Sequence, residues 1–404
     1  MAFEDSKSQP SPPPPHARPL LTPIRSRPGP GIKDVFRTVI FALSMTGTTI
    51  GVFLIQVFIA LPLRFIPLAA THRLSRETMR IAREAFGISM AAMSAPGSLG
   101  PTSFILTADE SVDLGKVVER NEKGEVIGLR LNKNSRLCIV LAPFLRWVPI
   151  AGPGYRLFDF AFVGKGWPIQ KSPIGKAIQK ALKDDSPFAM MLFPEGTLFA
   201  SDTQPTSDAF ARKAGVVRRR STCFGVRPDF LHGGQPFMRN VLQPRSTGLL
   251  FCLRTLLSQA PDATLYDITI GYPGVPARGY AEDYYTLAST FGRGVPPPAV
   301  HLHLRSVDLE GVSSIHPQNF TGKSSKQIDN DLTVEERAEF QEWTRKRWME
   351  KDDLMDYFYQ HGKFPDENGP VTLPVGVRGW GDAMRLVALV VAVMCAWLAV
   401  KAVW

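Results

Sequence analysis

The sequence predicts an α/β domain with an N-terminal membrane helix or hairpin and a C-terminal membrane helix. Three observations lead to this fold class. The stretch from Thr38 to Leu63 contains no charged residue, and the stretch from Leu386 to Trp404 contains only Lys401. Between them, from Thr102 to His303, short β-rich runs alternate with helical ones. Such interleaving is typical of α/β domains.

Charge and cysteine usage limit the classes of partner. The 404 residues include 47 Lys and Arg against 37 Asp and Glu, which gives a net charge of +10. This excess favours anionic partners such as phospholipid headgroups, nucleotides or nucleic acid. No nucleic-acid-binding motif accompanies it, so nucleic acid is not an expected partner. The four cysteines have neither metal-binding nor disulfide spacing, and we expect no metal and no protein-bound cofactor.

The N-terminal part divides into three segments. Residues 1–34 are Pro-rich and poor in apolar residues, which predicts a disordered tail. Residues 35–66 form the membrane segment, because about 20 apolar residues are enough to cross a bilayer. The run from Thr71 to Met93 predicts an amphipathic helix or a bent pair of helices with several arginines. It fits a membrane surface and a solvated helix face equally well.

The α/β domain is predicted to span residues 67–310, with residues 216–237 as an atypical insertion. Its strands are expected in "SFILTAD", "EVIGLRL", "AFVGKGW", "FAMMLFP", "TLYDITIGY" and "AVHLHLRSV". These runs are rich in β-branched and aromatic residues, and turn-forming residues bound several of them. The run "SDAFARKAG" predicts a helix that ends at Gly215.

The C-terminal part is predicted to contain a helical region, 311–379, and a membrane helix, 380–404. A long helix begins with a capping box formed by Thr333 and Glu336 and continues to about Tyr359. Its apolar residues share one broad arc, which predicts packing onto the domain. They are Phe340, Trp343, Trp348, Leu354, Met355 and Phe358. For the last segment, a buried C-terminal helix is the alternative to a membrane helix.

The sharpest local signal is "LFPEGT". A buried strand that ends at Phe193 places Glu195 and the amides of Gly196 and Thr197 at its carboxyl end. Ligands of α/β sheets bind at that edge, and glycine lets the backbone approach a ligand closely. A carboxylate beside such amides can bind hydroxyl groups. The alternative is an ordinary junction between a strand and a turn.

Several motifs in order resemble those of the glycerolipid acyltransferases, which include lysophosphatidic acid, lysocardiolipin and lysophosphatidylinositol acyltransferases. The segment Phe193–Thr197 resembles the third motif of that family. The run from Leu145 to Trp167 resembles the second motif and contains Lys165, where the family more often has Arg. The run from Val241 to Leu249, centred on Pro244 and Arg245, resembles the fourth. The similarity covers most of residues 35–404.

The resemblance implies acyl transfer from acyl-coenzyme A to a lysophospholipid hydroxyl at a membrane, with the endoplasmic reticulum as the expected location. Acyl-CoA would be a co-substrate, and lysophospholipid and membrane lipid would be the other partners. In such enzymes a His acts as general base and an Asp five positions later orients it. By resemblance, the residues that bind the acceptor are Lys165, Phe193, Pro194, Glu195, Gly196, Thr197, Pro244 and Arg245.

The motif that carries this His and Asp is absent before the second motif. Its expected place lies between about Ser135 and Phe144, where the chain is too short to hold it. The pairs His303/Asp308 and His361/Asp366 have the spacing but follow the third motif, and His72/Glu77 has the wrong acid. We therefore predict no catalytic residue. Either the transcript is altered, or the chain is an inactive membrane homologue that binds lipid or a partner.

Overall fold

The computed structural model describes residues 22–129, 136–163, 167–182, 188–213, 238–309, 311–316, 332–377 and 379–403. Most of the predicted tail and the whole predicted insertion, 216–237, lie outside these residues. The helices are α1 (Ile32–Leu54), α2 (Leu61–Phe65), α3 (Ala69–Ser94), α4 (Leu114–Val117), α5 (Ala151–Leu157), α6 (Trp167–Leu182), α7 (Gln204–Lys213), α8 (Ser246–Leu257), α9 (Val334–His361) and α10 (Trp380–Val403). The strands are β1 (Ser103–Ala108), β2 (Val118–Arg120), β3 (Val126–Leu129), β4 (Arg136–Leu141), β5 (Ala161–Phe162), β6 (Phe188–Met191), β7 (Leu265–Gly271), β8 (Ala299–Val307) and β9 (Val371–Leu373).

The strands form two sheets and a separate β2–β3 hairpin. The larger sheet has the order β7-β8-β1-β9 and is mixed, because β1 runs parallel to β8 but antiparallel to β9. The smaller sheet has the order β5-β4-β6 and is parallel throughout. The mixed helix and sheet content confirms the predicted α/β character. Strand β6 is shorter and less buried than predicted, because it ends at Met191, and Ala189 and Met191 are exposed. Leu192 and Phe193 continue outside the sheet.

The N-terminal apolar segment is one continuous helical run. It extends over Ile32–Phe65 and is long and apolar enough to cross a membrane. The segment Ile55–Ala60 within it is π-helical. The chain thus adopts the helix and not the hairpin. The following basic segment is also a single helix, α3, and not a bent pair.

Helix α10 packs against this N-terminal helix. A Cβ atom at Gly51 of α1 would lie 2.9 Å from the carbonyl oxygen of Leu389, so only glycine allows this approach. Small residues of α3, Ala82 and Ala85, join the same buried cluster. Phe158, which follows α5, completes it and connects the helices to the α/β domain. The two most apolar helices of the chain therefore form one unit with α3.

Helix α9 covers one face of the larger sheet. Its capping box is formed as predicted, since Thr333 accepts from the Glu336 amide and Glu336 accepts from the Thr333 amide. The predicted apolar arc faces the domain, with Phe340 and Phe358 almost fully buried. Phe358 lies over Gly271 at the end of β7, where a Cβ atom would come within 2.7 Å of its ring. The helix thus packs directly against the end of β7.

Candidate functional site

The turn after β6 holds the residues of the sharpest sequence signal. Strand β6 is the parallel neighbour of β4, so their carboxyl ends lie at the same edge of the sheet. The turn closes with a hydrogen bond of 2.9 Å from the Gly196 amide to the Phe193 carbonyl. Gly196 has a φ of 74°, in the left-handed region that favours glycine. The left-handed backbone conformation at this position of the turn therefore explains why the residue there is Gly.

The segment around Pro244 and Arg245 lies directly against this turn. The Arg245 amide donates a hydrogen bond of 2.8 Å to the Pro194 carbonyl. The Arg245 side chain is exposed and passes over Gly196, with its Cδ and Nε atoms 3.5 Å from the position of a glycine Cβ. The structure thus brings together seven of the eight predicted acceptor residues. The eighth, Lys165, lies outside the described residues.

Arg245 is also the N-cap residue of α8. The helix is almost entirely buried beneath the site, from Leu249 to Leu257. Among the described residues, no side-chain hydrogen bond caps its first turn at Arg245. The first amides of a helix carry partial positive charge and attract anions. The guanidinium and the helix terminus therefore place two sources of positive potential next to the turn at Gly196.

Glu195 points toward the interior of the protein. Its Oε1 atom accepts a hydrogen bond of 3.2 Å from Trp348 Nε1 on α9, and its Oε2 atom accepts one of 3.3 Å from the Leu242 amide. Burial raises the pKa of Glu195, while these two hydrogen bonds and the Lys351 ammonium act against that rise. Both carboxylate oxygens thus have protein donors, and binding of a substrate hydroxyl by Glu195 stays a prediction.

A buried ionic network lies beneath Glu195. Lys351 Nζ is 2.5 Å from Asp267 Oδ1 and donates to the Ile268 carbonyl at 2.9 Å. Arg305 binds the other oxygen of Asp267 at 2.7 Å. Burial alone would raise the pKa of Asp267, but Lys351 and Arg305 hold it below its usual value. The network joins α9 to the β7–β8 pair, which fixes the position of Trp348 one helical turn before Lys351.

The loop that leads to Arg245 is anchored to the same helix. Asp352 is almost fully buried, and its Oδ1 atom accepts from the amides of Arg239 and Asn240 at 2.8 and 2.7 Å. The Asn240 side chain also donates to Asp356 at 2.8 Å. The carboxylates of α9 therefore hold Arg239 and Asn240 in place. The sequence motifs do not reveal these contacts, although the apolar arc of α9 correctly predicts that the helix packs there.

The segment that resembles the second motif lies at the other strand, β4. A 3-10 helix, Pro143–Trp147, leads into α5, and a Cβ atom at Gly152 would come within 2.2 Å of the Arg146 carbonyl oxygen. Trp147 is 74% exposed, with the Arg146 guanidinium over its ring. Gln56 of the N-terminal helix donates to the Gly154 carbonyl at 3.2 Å. The N-terminal apolar helix is thus hydrogen-bonded directly to this motif.

None of the three histidine pairs forms a dyad among the described residues. His303 lies on β8, buried beside Phe364, with its Nδ1 atom 3.0 Å from Thr107 Oγ1. Asp308 follows the end of that strand, and five residues of extended chain separate side chains by about 16 Å at 3.3 Å per residue. Burial lowers the pKa of His303 to about 4. His303 is therefore a core residue.

In each of the other two pairs, one member contacts a different residue. His361 is the last residue of α9, where its ring stacks on Tyr357 and its Nδ1 atom lies 2.9 Å from the Tyr357 carbonyl oxygen. His72 is exposed on α3, and Glu77 is instead bonded to Arg80 at 2.7 Å. Residues five apart on a helix point in different directions. The absence of a catalytic residue thus stays a prediction.

Comparisons with known proteins agree with the motifs. The family model described as "Acyltransferase C-terminus" matches residues 326–378, which include α9. The chain is 30% identical over 277 residues to a 2-acyl-1-lysophosphatidylinositol acyltransferase of Saccharomyces cerevisiae, with 60% of this chain and 59% of that protein covered. It is 26% identical over 247 residues to lysocardiolipin acyltransferase 1 of Gallus gallus, with 61% and 51% covered.

A third relative has a name that refers to a different acceptor. A probable 1-acyl-sn-glycerol-3-phosphate acyltransferase 5 of Arabidopsis thaliana is 26% identical over 241 residues, with 60% of this chain and 51% of that protein covered. No solved structure matches. The chain spans between half and three-fifths of the length of these relatives. The matches confirm the resemblance to the glycerolipid acyltransferase family.

Proposed function

We propose that this chain transfers an acyl group from acyl-CoA to a lysophospholipid in phospholipid synthesis or remodelling. The observation that carries the proposal is the contact between the Phe193–Thr197 turn and the Pro244–Arg245 segment. The exposed guanidinium of Arg245 and the first amides of α8 bind the acceptor's phosphate, because an anion is favoured at both. The turn lies beside that phosphate and faces the glycerol part.

The acceptor's phosphate also contacts Lys165 in this proposal, on the basis of the resemblance. A lysine binds phosphate as a point charge and lacks the two parallel donors of arginine, so Arg245 contributes the more directional contact. The use of acyl-CoA as acyl donor likewise rests on the resemblance. No metal or protein-bound cofactor has a role in the proposed reaction.

We place both long apolar helices in the membrane. Helix α10 has 24 residues, and its exposed side chains include Val387, Val391 and Leu398. Its close approach to Gly51 of the membrane-segment helix supports insertion of the two as a pair, since small residues allow such packing in membranes. The endoplasmic reticulum is the proposed membrane on the basis of the resemblance alone.

The test gives the purified full chain in lipid nanodiscs radiolabelled acyl-CoA and a panel of lysophospholipids. The proposal predicts a labelled diacyl product with at least one acceptor, and loss of that product in the Arg245→Ala variant. Binding of a lysophospholipid without any product would instead support the alternative, a non-catalytic homologue that binds lipid. This alternative rests on the absence of the His and Asp motif from the sequence. A result with neither lysophospholipid binding nor product would contradict both the proposal and the alternative.

A further inference from the structure

Trp348 connects the C-terminal helix to the turn that holds Glu195. Its indole N–H donates to Glu195 Oε1 at 3.2 Å, across 153 residues of sequence. The indole is only 8% exposed and packs in a cluster with Met238, Val241 and Phe358. The donor is therefore presented from a packed part of α9, where its orientation is fixed.

The network beneath the indole holds it in that orientation. The Lys351 ammonium lies 5.4 Å from the centre of the Trp348 ring, a distance typical of a cation–π contact. Lys351 is itself held by Asp267 and by the Ile268 carbonyl. The position of the indole therefore depends on the β7–β8 pair as well as on α9.

Glu195 connects the fixed indole of Trp348 to the rest of the site. Its second oxygen accepts from the Leu242 amide, three residues before Arg245. The residue after it is Gly196, over which the Arg245 side chain lies. The residue before it, Pro194, accepts from the Arg245 amide. A single carboxylate thus joins α9, the turn and the segment of Arg245.

We propose that Trp348 is a positioning residue, which through Glu195 fixes the turn and the Arg245 guanidinium in the arrangement that binds the acceptor's phosphate. This inference rests on the proposed function for the identity of the ligand. Without the indole N–H, Glu195 keeps only the Leu242 amide as a hydrogen-bond donor among the described residues. The turn and Arg245 then sample arrangements that do not bind phosphate, which lowers affinity without removing any group that touches the ligand.

The first experiment measures binding of lysophosphatidylinositol to the full chain in nanodiscs. Trp348→Phe, which removes the N–H and keeps an aromatic ring, is expected to weaken binding about tenfold, a change that corresponds to about 1.4 kcal/mol. The matched control is Trp343→Phe on the same helix, since Trp343 packs on Phe340 and donates no hydrogen bond to Glu195 among the described residues. The control is expected to bind like the wild type.

A double-mutant cycle separates positioning from a general structural effect. If Trp348 acts through Glu195, its substitution to Phe has little further effect in a Glu195→Ala background, because the effects of coupled residues do not add. Full additivity of the two substitutions would overturn the proposal. Trp343→Phe is expected to be additive with Glu195→Ala.

The pH dependence of binding gives a second specific signature. Lys351 and Asp267 are the charged groups that act on Glu195 from α9 and β7. The hydrogen bond from Trp348 lowers the pKa of Glu195, so its removal moves the acid limb of binding to higher pH. Lysophosphatidylinositol suits this measurement, because its phosphodiester does not titrate in the same range. An unmoved acid limb would contradict the proposed path through Glu195.

Hydrogen exchange tests the positioning without any ligand. In Trp348→Phe the amides of Gly196, Leu242 and Arg245 are expected to exchange faster, while the rest of α9 and the Trp343→Phe control are unchanged. Unchanged protection of these three amides would overturn the role of Trp348. Faster exchange together with no binding by the wild-type chain would overturn the proposed function instead, so the two failures are distinguishable.

Discussion

The ends of the two parallel strands β4 and β6 differ sharply. After β6, every motif residue from Phe193 to Thr197 lies in a turn that hydrogen bonds connect to the segment of Leu242 and Arg245 and to α9. After β4, the chain instead exposes large apolar side chains, with Phe144 67% and Trp147 74% exposed. The acceptor half of the site is thus held from several sides, whereas residues 142–150, which follow β4, are exposed except for the half-buried Leu145.

This contrast shows where the energetic support of the site lies. Buried, hydrogen-bonded networks restrict a site to one arrangement, whereas exposed side chains contribute little to stability. The support for the acceptor half comes largely from α9, which lies within the matched C-terminal family region. The variants below test the contrast, from the largest expected effect to the smallest.

Trp348, which donates to the turn after β6, and Trp147, which follows β4, give the largest expected difference in stability. Trp348→Ala should lower the free energy of unfolding by about 3–5 kcal/mol, because it removes a buried aromatic ring. Trp147→Ala should change it by less than about 1 kcal/mol, because Trp147 is exposed and contacts Arg146 through its ring face. Denaturant unfolding of both variants in detergent measures this. Equal losses would contradict the contrast.

Acid should destabilise the protein through His303. Burial lowers its pKa to about 4, with Asp109, Asp267, Arg305 and Lys351 as the charged groups nearby. The unfolded chain, with an ordinary His pKa of about 6.5, binds the proton more tightly. Stability is therefore fully present above about pH 6.5 and falls by up to about 3 kcal/mol as the pH drops to about 4.

The His303→Gln variant isolates this contribution. It should lose less stability than the wild type between pH 7 and pH 4.5, as measured by denaturant unfolding at each pH. His361→Gln, at an exposed position, is the control and should keep the full loss. If His303→Gln instead abolished product formation while the protein stayed folded, the assignment of His303 to the core would be wrong.

Two glycines of α1 test the pairing of the apolar helices. Gly51→Ala should cost about 1–3 kcal/mol, because its Cβ atom would meet Leu389 at 2.9 Å. Gly47→Ala should be neutral or stabilise the helix by up to about 1 kcal/mol, since no atom lies within 4 Å of its Cβ position. Thermal unfolding in detergent compares the two. An equal effect would argue against the contact between α1 and α10.

Arg245→Ala tests the ligand side of the acceptor half. We expect affinity for lysophosphatidylinositol to fall about tenfold, or about 1.4 kcal/mol, because a charge-assisted contact to phosphate is lost. Lys123→Ala removes the same charge from the exposed turn between β2 and β3 and should have little effect. Equal losses in both variants would mean that binding depends on net charge alone.

The sequence predicted much of the fold because its signals are local. The capping box at Thr333, the apolar arc of α9 and the alternating residues of β8 each depend on neighbours a few positions away. The predicted residues of β8 match the observed bounds. Two alternatives stayed open from the sequence: a helix or a hairpin near Ile55, and a single helix or a bent pair for α3. The outcome in each case depends on packing against distant elements, which no local pattern encodes.

The candidate site was predicted less completely for a related reason. Motif resemblance located the turn at Glu195 and the segment of Arg245, and the structure places them in contact. It gave no indication that Trp348 and Leu242 donate to Glu195, because those contacts join residues far apart in sequence. Trp348 was predicted only as an apolar residue of α9. A buried indole N–H needs a hydrogen-bond acceptor, and apolar periodicity does not predict which residue supplies it.

Photo-crosslinking with a lysophospholipid tests the central claim most directly. A photoactivatable lysophosphatidylinositol, with the reactive group near its headgroup, is bound to the full chain in nanodiscs and its adducts are mapped by mass spectrometry. The account predicts adducts in residues 193–200 and 242–248 that excess unlabelled lysophosphatidylinositol removes and that Arg245→Ala weakens. Competable adducts found only in α1 and α10 would contradict it.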